Sequence, residues 1–367
     1  MRGGKFDMRA ILHAYILCCV LVFSPALPVQ PAASNPLYTV DLSPLIPHGP
    51  EVFLTGALAF LTEHTIAVSM CSNEGCNLET LDLAGGKPRL LAKTNEFENY
   101  RALFRTHGGG VVLDHVRTGA KQGAVLFDPD LRAPQLIATA NICERCMSAT
   151  GQTFVRQLSQ NDWAAYQMTV PPLRIRGGNG RVLSVSEDAV AYIDSGTIQV
   201  ERMDGKSLGS FAAGHGTSAI PVVHFLGHDR LWFDSGSHPE ILDFNGKTLR
   251  ALHKEDGWGF RVGQSSDGSR LLYDRYTRHV PLEQSIKEDA VAVATLGMGV
   301  GGMEATGEMV RVIDTNDGKQ CFEWHSKAGV LLAGGYHADI DPSGQLIAIM
   351  TRNSLAFYRL PDVCANQ

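Results

Sequence analysis

Sustained helical periodicity is what this chain most plainly lacks. Beyond residue 33 no long segment repeats apolar residues at helical spacing, which argues against a helical bundle. Charge is sparse as well. Charged residues make up 19% of 367, and 32 basic against 38 acidic residues leave a net −6 with no long basic run. That balance excludes nucleic acid or an anionic membrane surface as the main partner. No Asn-x-Ser/Thr acceptor occurs, which favours a bacterial exported protein over a glycosylated eukaryotic one. The four tryptophans form no repeated docking motif, which speaks against a quinone-dependent dehydrogenase. No cofactor is expected, and the protein is expected to be a monomer.

The N-terminus carries the clearest local signal. Arg2, Lys5 and Arg9 precede an apolar run from Ala10 to Phe23; Pro25 and the small residues Ser24, Ala26, Ala32 and Ala33 follow. This is the layout of a secretory signal peptide, expected to occupy residues 1–33. The run is too short to span a bilayer comfortably, so no transmembrane segment is expected after cleavage. A lipid anchor on Cys18 or Cys19 is the alternative, disfavoured by the bulk of Leu17.

Without the leader six cysteines remain: Cys71, Cys76, Cys143, Cys146, Cys321 and Cys364. An even number in an exported chain reads as disulfides and a secreted or periplasmic location. Cys71 with Cys76 and Cys143 with Cys146 are the pairs with the least loop-closure cost, leaving Cys321 for Cys364. Cys143-Glu-Arg-Cys146 also has the CxxC spacing of redox and zinc sites, and Cys71 and Cys76 could complete four thiolates. Small loop disulfides are the simpler reading in an oxidising compartment. A c-type haem site fails, because Met147 stands where histidine is required.

The mature chain consists of short apolar or alternating runs such as Thr65–Met70, Gly110–Leu113, Arg230–Phe233, Arg270–Tyr273 and Gln345–Met350. Each is bounded by Gly, Asp, Asn or Ser, the signature of strands and tight turns. One turn recurs: an acidic residue, a few spacers, then Gly-Lys. It stands at Asp82–Lys87, Glu201–Lys206, Asp243–Lys247 and Asp314–Lys319, with a degenerate copy at Phe127–Leu131. Asp82 to Asp128 is 46 residues and Glu201 to Asp243 is 42. A second turn precedes other strands, Ser266-Asp267-Gly268-Ser269 before Arg270 and Asp341-Pro342-Ser343-Gly344 before Gln345.

These two turns resemble the "SPDGxxIAF" hairpin of WD40-like and TolB-like β-propellers, and the period matches a four-stranded blade. The resemblance implies an all-β propeller filling 34–367 as a single domain. Counting turns gives seven blades, near 53–92, 98–140, 149–176, 181–213, 218–253, 259–325 and 333–360, with six or eight as the alternatives. The segment Leu37–Leu42 is expected to supply the outer strand of the last blade and close the ring. A β-sandwich pair or a β-solenoid is the alternative. An insertion at 279–308 interrupts the sixth blade, with a brief helix placed around Leu282–Asp289.

Catalytic signals are weak. His224, His228 and His238 flank one strand and read as turn histidines rather than a metal site, and His107 with Asp114 and His115 is a similar case. The glycine runs Gly177–Gly180 and Leu296–Gly302 read as loops, since neither opens a helix that would cradle a phosphate. Ser-His-Asp catalysis is not expected. The first functional reading is therefore an exported binding or scaffolding protein for a protein, peptide or glycan. The second is a propeller hydrolase or lyase acting on polysaccharide or peptide at the channel mouth.

Overall fold

The computed structural model describes residues 35–364 apart from 47–54, 73–74, 86, 96–101, 119–120, 133, 139–141, 143–145, 215–220, 235–238, 253–257, 278–306, 328–334 and 352–353. The expected leader, most of the insertion and its brief helix lie outside the described residues.

Asp- and Gly-bearing turns break the chain so often that antiparallel strand pairing is the main way to satisfy its backbone. Strand β1 (Tyr38–Asp41) is followed by a single 3-10 turn, Ser43–Leu45. Blade one then holds β2 (Thr55–Thr62), β3 (Thr65–Ser72), β4 (Gly75–Asp82) and β5 (Arg89–Thr94). Blade two holds β6 (Ala102–Arg105), β7 (Val111–Thr118), β8 (Lys121–Phe127) and β9 (Gln135–Ala138). Blade three holds β10 (Thr153–Gln157), β11 (Asp162–Gln167) and β12 (Leu173–Asn179). Its innermost strand is the short segment at Cys146–Ser148, joined by a bridge from Met147 to Phe154.

Blade four is β13 (Arg181–Val185), β14 (Ala189–Asp194), β15 (Thr197–Arg202) and β16 (Ser207–Ala212). Blade five is β17 (Val222–Leu226), β18 (Arg230–Asp234), β19 (Pro239–Asp243) and β20 (Thr248–Ala251). Blade six is β21 (Trp258–Gln264), β22 (Arg270–Thr277), β23 (Gly307–Asp314) and β24 (Gln320–Lys327). A two-residue strand, β25 (Gly335–Tyr336), runs parallel to β2. Blade seven is β26 (Ala338–Ile340), β27 (Leu346–Met350) and β28 (Ser354–Arg359), with β1 antiparallel to β28 as its fourth strand. The result is a seven-bladed propeller with almost no helix.

The core lies between blades, and strand β2 shows why. Leu58 and Phe60 face blade seven, packing with Met350, Leu355 and Phe357, while Ala57, Ala59 and Leu61 face blade two beside Leu103 and Val111. Both faces of the strand are buried, so it reads as a continuous apolar run rather than an alternating one. Similar apolar clusters fill the other seams.

The recurrent Gly-Lys turns all connect the third and outer strands of their blades. Asp82, Asp243 and Asp314 each accept a main-chain N–H two residues on, at 2.8–2.9 Å. Such local bonds hold the chain reversal. Gly246 shows the need for glycine in the turn: it sits at φ +77°, and a Cβ there would strike the Phe211 side chain at 2.5 Å. The Ser266 and Asp341 turns instead join the first and second strands of blades six and seven.

Candidate binding site

Antiparallel order places the turns between first and second strands, and between third and fourth, on one face of the ring. Connections between second and third strands, and from blade to blade, lie on the other. The second strand of blade six ends at Thr277 and the third begins at Gly307, both towards that other face.

On the turn-bearing face a cavity of about 580 Å³ opens at the seam between blades two and three. One wall is the β6–β7 hairpin, where Thr106 N–H donates to Gly110 O and Gly109 N–H to Thr106 O, both at 3.0 Å. The facing turn comes so close that a Cβ on Gly151 would lie 2.1 Å from Arg105 O. Arg105 Nε also donates to Ala149 O across the seam.

Among the described residues the polar lining holds one carboxylate, Asp128, beside a histidine, a threonine hydroxyl and amides. His107 shares a hydrogen bond of 3.1 Å with Gln152 Nε2, and Gln135 and Gln167 add two more amides. Asp128 Oδ1 accepts the Arg132 N–H at 2.6 Å within its own turn. Leu126, Phe127, Met168 and Val170 supply the apolar lining. Val170 stands at the rim with 56% of its surface exposed. Beside it the Thr169 hydroxyl donates to Pro171 O at 2.7 Å and accepts Leu173 N–H at 3.1 Å, shaping the loop into β12. Amide hydrogen bonding beside apolar walls is recognition chemistry, and a volume of this size suits a small ligand or a short stretch of chain.

The cysteines fall in separate places. Cys71 and Cys76 face each other across the β3–β4 hairpin and form a disulfide. Cys321, at the start of β24, is bonded to Cys364, beyond β28. Cys146 is disulfide-bonded, while Cys143 lies outside the described residues. Bonded sulfurs at Cys71 and Cys76 leave no thiolates there for zinc.

The histidine sets are dispersed. His224 lies on β17 opposite Trp232, His228 is exposed in the following turn, and His238 lies outside the described residues. His107 and Asp114 sit at opposite ends of their hairpin. Asp114 is buried and accepts Ile142 N–H at 2.9 Å, and nothing is described of the His115 side chain. Among the described residues no three of His, Cys, Asp and Glu gather to hold a metal. A nucleophile-type spacing, Gly205-Lys206-Ser207-Leu208-Gly209, does occur, but Ser207 opens the outer strand β16 and no helix follows. The cavity amides carry no sequence signal; only the Gly108–Gly110 and Phe127–Leu131 turns beside them stand out.

No family model matches the chain, and no curated protein matches it in sequence. Solved structures match its fold. The β-propeller domain of Cps50 (Swd1) from Myceliophteria thermophila aligns with a TM-score of 0.50 at 11% identity, covering 89% of this chain and 99% of that one. Hsv2 from Kluyveromyces lactis aligns at a TM-score of 0.47 and 12% identity, covering 82% and 91%. The likeness to the Cps50 domain is one of fold alone.

Proposed function

We propose that this chain is an exported propeller that binds a protein segment or peptide, with the seam cavity between blades two and three as its site. The observation that carries the reading is the lining: three glutamine amides and a histidine beside Leu126, Met168 and Val170. Main-chain amides of an extended segment are the natural partners of such groups. A sugar would want an open aromatic face, and Phe127, the one phenylalanine, tyrosine or tryptophan among the described lining residues, is 1% exposed. Among the described lining residues no two groups form the carboxylate pair or nucleophile–base pair that hydrolysis requires.

Bonded cysteines support export, since disulfides persist in oxidising compartments. No helix among the described residues is long and apolar enough to cross a membrane. The binding test is a screen of the oxidised protein on peptide and glycan arrays, alongside Gln152→Ala and Met168→Asp. Peptide signals lost in both variants are expected; glycan signals, or peptide signals indifferent to both, overturn the reading. Export is checked by expressing the chain with its own leader and sequencing the released N-terminus. Retention of the intact chain inside the cell would refute it.

A further inference from the structure

Resting on the peptide-binding reading, we propose that the seam cavity selects a segment in which a cationic group adjoins an apolar side chain. Of the described residues that line the cavity none is a lysine or arginine, and Asp128 is the one carboxylate. One of its oxygens is used by the Arg132 N–H. The other has no hydrogen bond or ion pair among the described residues, and the side chain is exposed at the cavity edge.

Among the described residues no cation forms an ion pair with this carboxylate. Arg132 and Arg174 lie near in the chain, yet neither lines the cavity. The Arg174 guanidinium lies over Gly177, three residues along β12 and away from the cavity loop. Among the described residues the site thus sets one carboxylate without an ion pair beside an apolar surface.

That apolar surface continues outward. Val170 at the rim is followed by exposed Leu173 and Ile175 on β12, and Leu136 on the outer strand of blade two is exposed across the seam. β12 is also an outer strand, with an edge no other described strand covers. An extended segment can thus set an ammonium or guanidinium on Asp128 and an apolar side chain against Met168 and Val170. An acidic segment would meet Asp128 with repulsion.

Selection from a displayed random heptapeptide library tests this, with Asp128→Asn and Asp130→Asn run in parallel. The amide introduced by Asp128→Asn retains an oxygen for the Arg132 N–H, so the turn is preserved; Asp130 shares the turn without lining the cavity. The expected result is enrichment of Lys, Arg or a free amino terminus beside one apolar residue. Asp128→Asn should weaken the selected peptides about tenfold and erase the cationic preference, with Asp130→Asn close to wild type. Added salt should weaken wild-type binding more than binding to Asp128→Asn. Selected peptides synthesised with an acetylated amino terminus and unmodified side chains distinguish an amino-terminal ammonium from a side-chain cation. Peptides that bind through the cavity with no cationic preference, or with one unchanged in Asp128→Asn, overturn this inference alone. If no peptide depends on the cavity, the binding reading falls with it.

Discussion

The main-chain N–H of Phe60 in blade one donates to the buried carboxylate of Asp339 in blade seven at 2.8 Å, joining positions 279 residues apart. Phe60 itself packs edge-on against Phe357, its centroid 6.4 Å away. A charge-assisted bond to main chain and an apolar seam thus hold the same two blades together. Asp339→Ala leaves a buried N–H without this acceptor and should lower unfolding stability by about 2 kcal/mol. Asp339→Asn keeps an acceptor and should recover part of that loss. Denaturant titration of both variants checks it; equal stability of wild type and Asp339→Ala would discount the bond.

The Cys321–Cys364 bond closes a loop across a sequence separation of 43 residues. Cys364→Ser should cost about 4 kcal/mol by the loop-entropy argument. Reductant should lower the wild-type midpoint and change the variant less. Unfolding curves with and without reductant supply the comparison.

Arg270, 9% exposed, contacts both sulfurs of that bond and donates to Pro361 O at 3.2 Å and Asp362 O at 3.0 Å. Its Nη1 lies 3.4 Å from the Asp314 carboxylate. Arg270→Met should loosen residues 361–362 while leaving the disulfide intact, at a cost of about 1–2 kcal/mol from the lost hydrogen bonds to Pro361 O and Asp362 O. Faster amide hydrogen exchange at Asp362–Cys364, read by mass, is the sign to look for.

β1 pairs with β28 from Tyr38 opposite Phe357 to Asp41 opposite Ser354, and the Tyr38 and Phe357 rings lie 4.6 Å apart. Deleting 34–41 would expose the edge of β28. Lower stability, by about 2 kcal/mol or more, and concentration-dependent association are expected in sedimentation and melting experiments.

Burial pushes the Tyr192 phenol up to about 12, helped by Glu201, whose carboxylate accepts its O–H at 2.8 Å. The neutral phenol is favoured in the folded state. Its contribution to stability is therefore complete below the ordinary value of 10.0 and is lost as pH rises towards 12. Tyr38 and Tyr358 are also raised by burial, so tyrosinate absorbance should show several late titrations, of which Tyr192→Phe removes one, and the variant should lose less stability over that alkaline range. An unchanged absorbance curve would sink the assignment.

Much of the architecture is legible in local sequence pattern. The Gly-Lys turns mark the junction of third and fourth strands in blades one, four, five and six, and the seven-blade count matches the structure. Physical locality explains this: a tight turn depends on the few residues within it, such as Asp243 bonding its own neighbours Asn245 and Lys247 at 2.9 Å. Blade three is harder to place, because its innermost strand is only Cys146–Ser148 and its third turn lacks the acidic-Gly-Lys pattern.

The candidate site is not legible in the same way. Gln152 and Gln167 have no spacing that singles them out, and Asp128 stands out only as part of a turn. They line one cavity because blade two packs on blade three at Gly151, with main chain against main chain. Strands, turns and a count near seven blades follow from local backbone geometry and a repeating apolar pattern, which the chain carries within a few residues at a time. Which turns meet across a seam depends instead on the phasing of neighbouring blades, set by contacts distant in the chain.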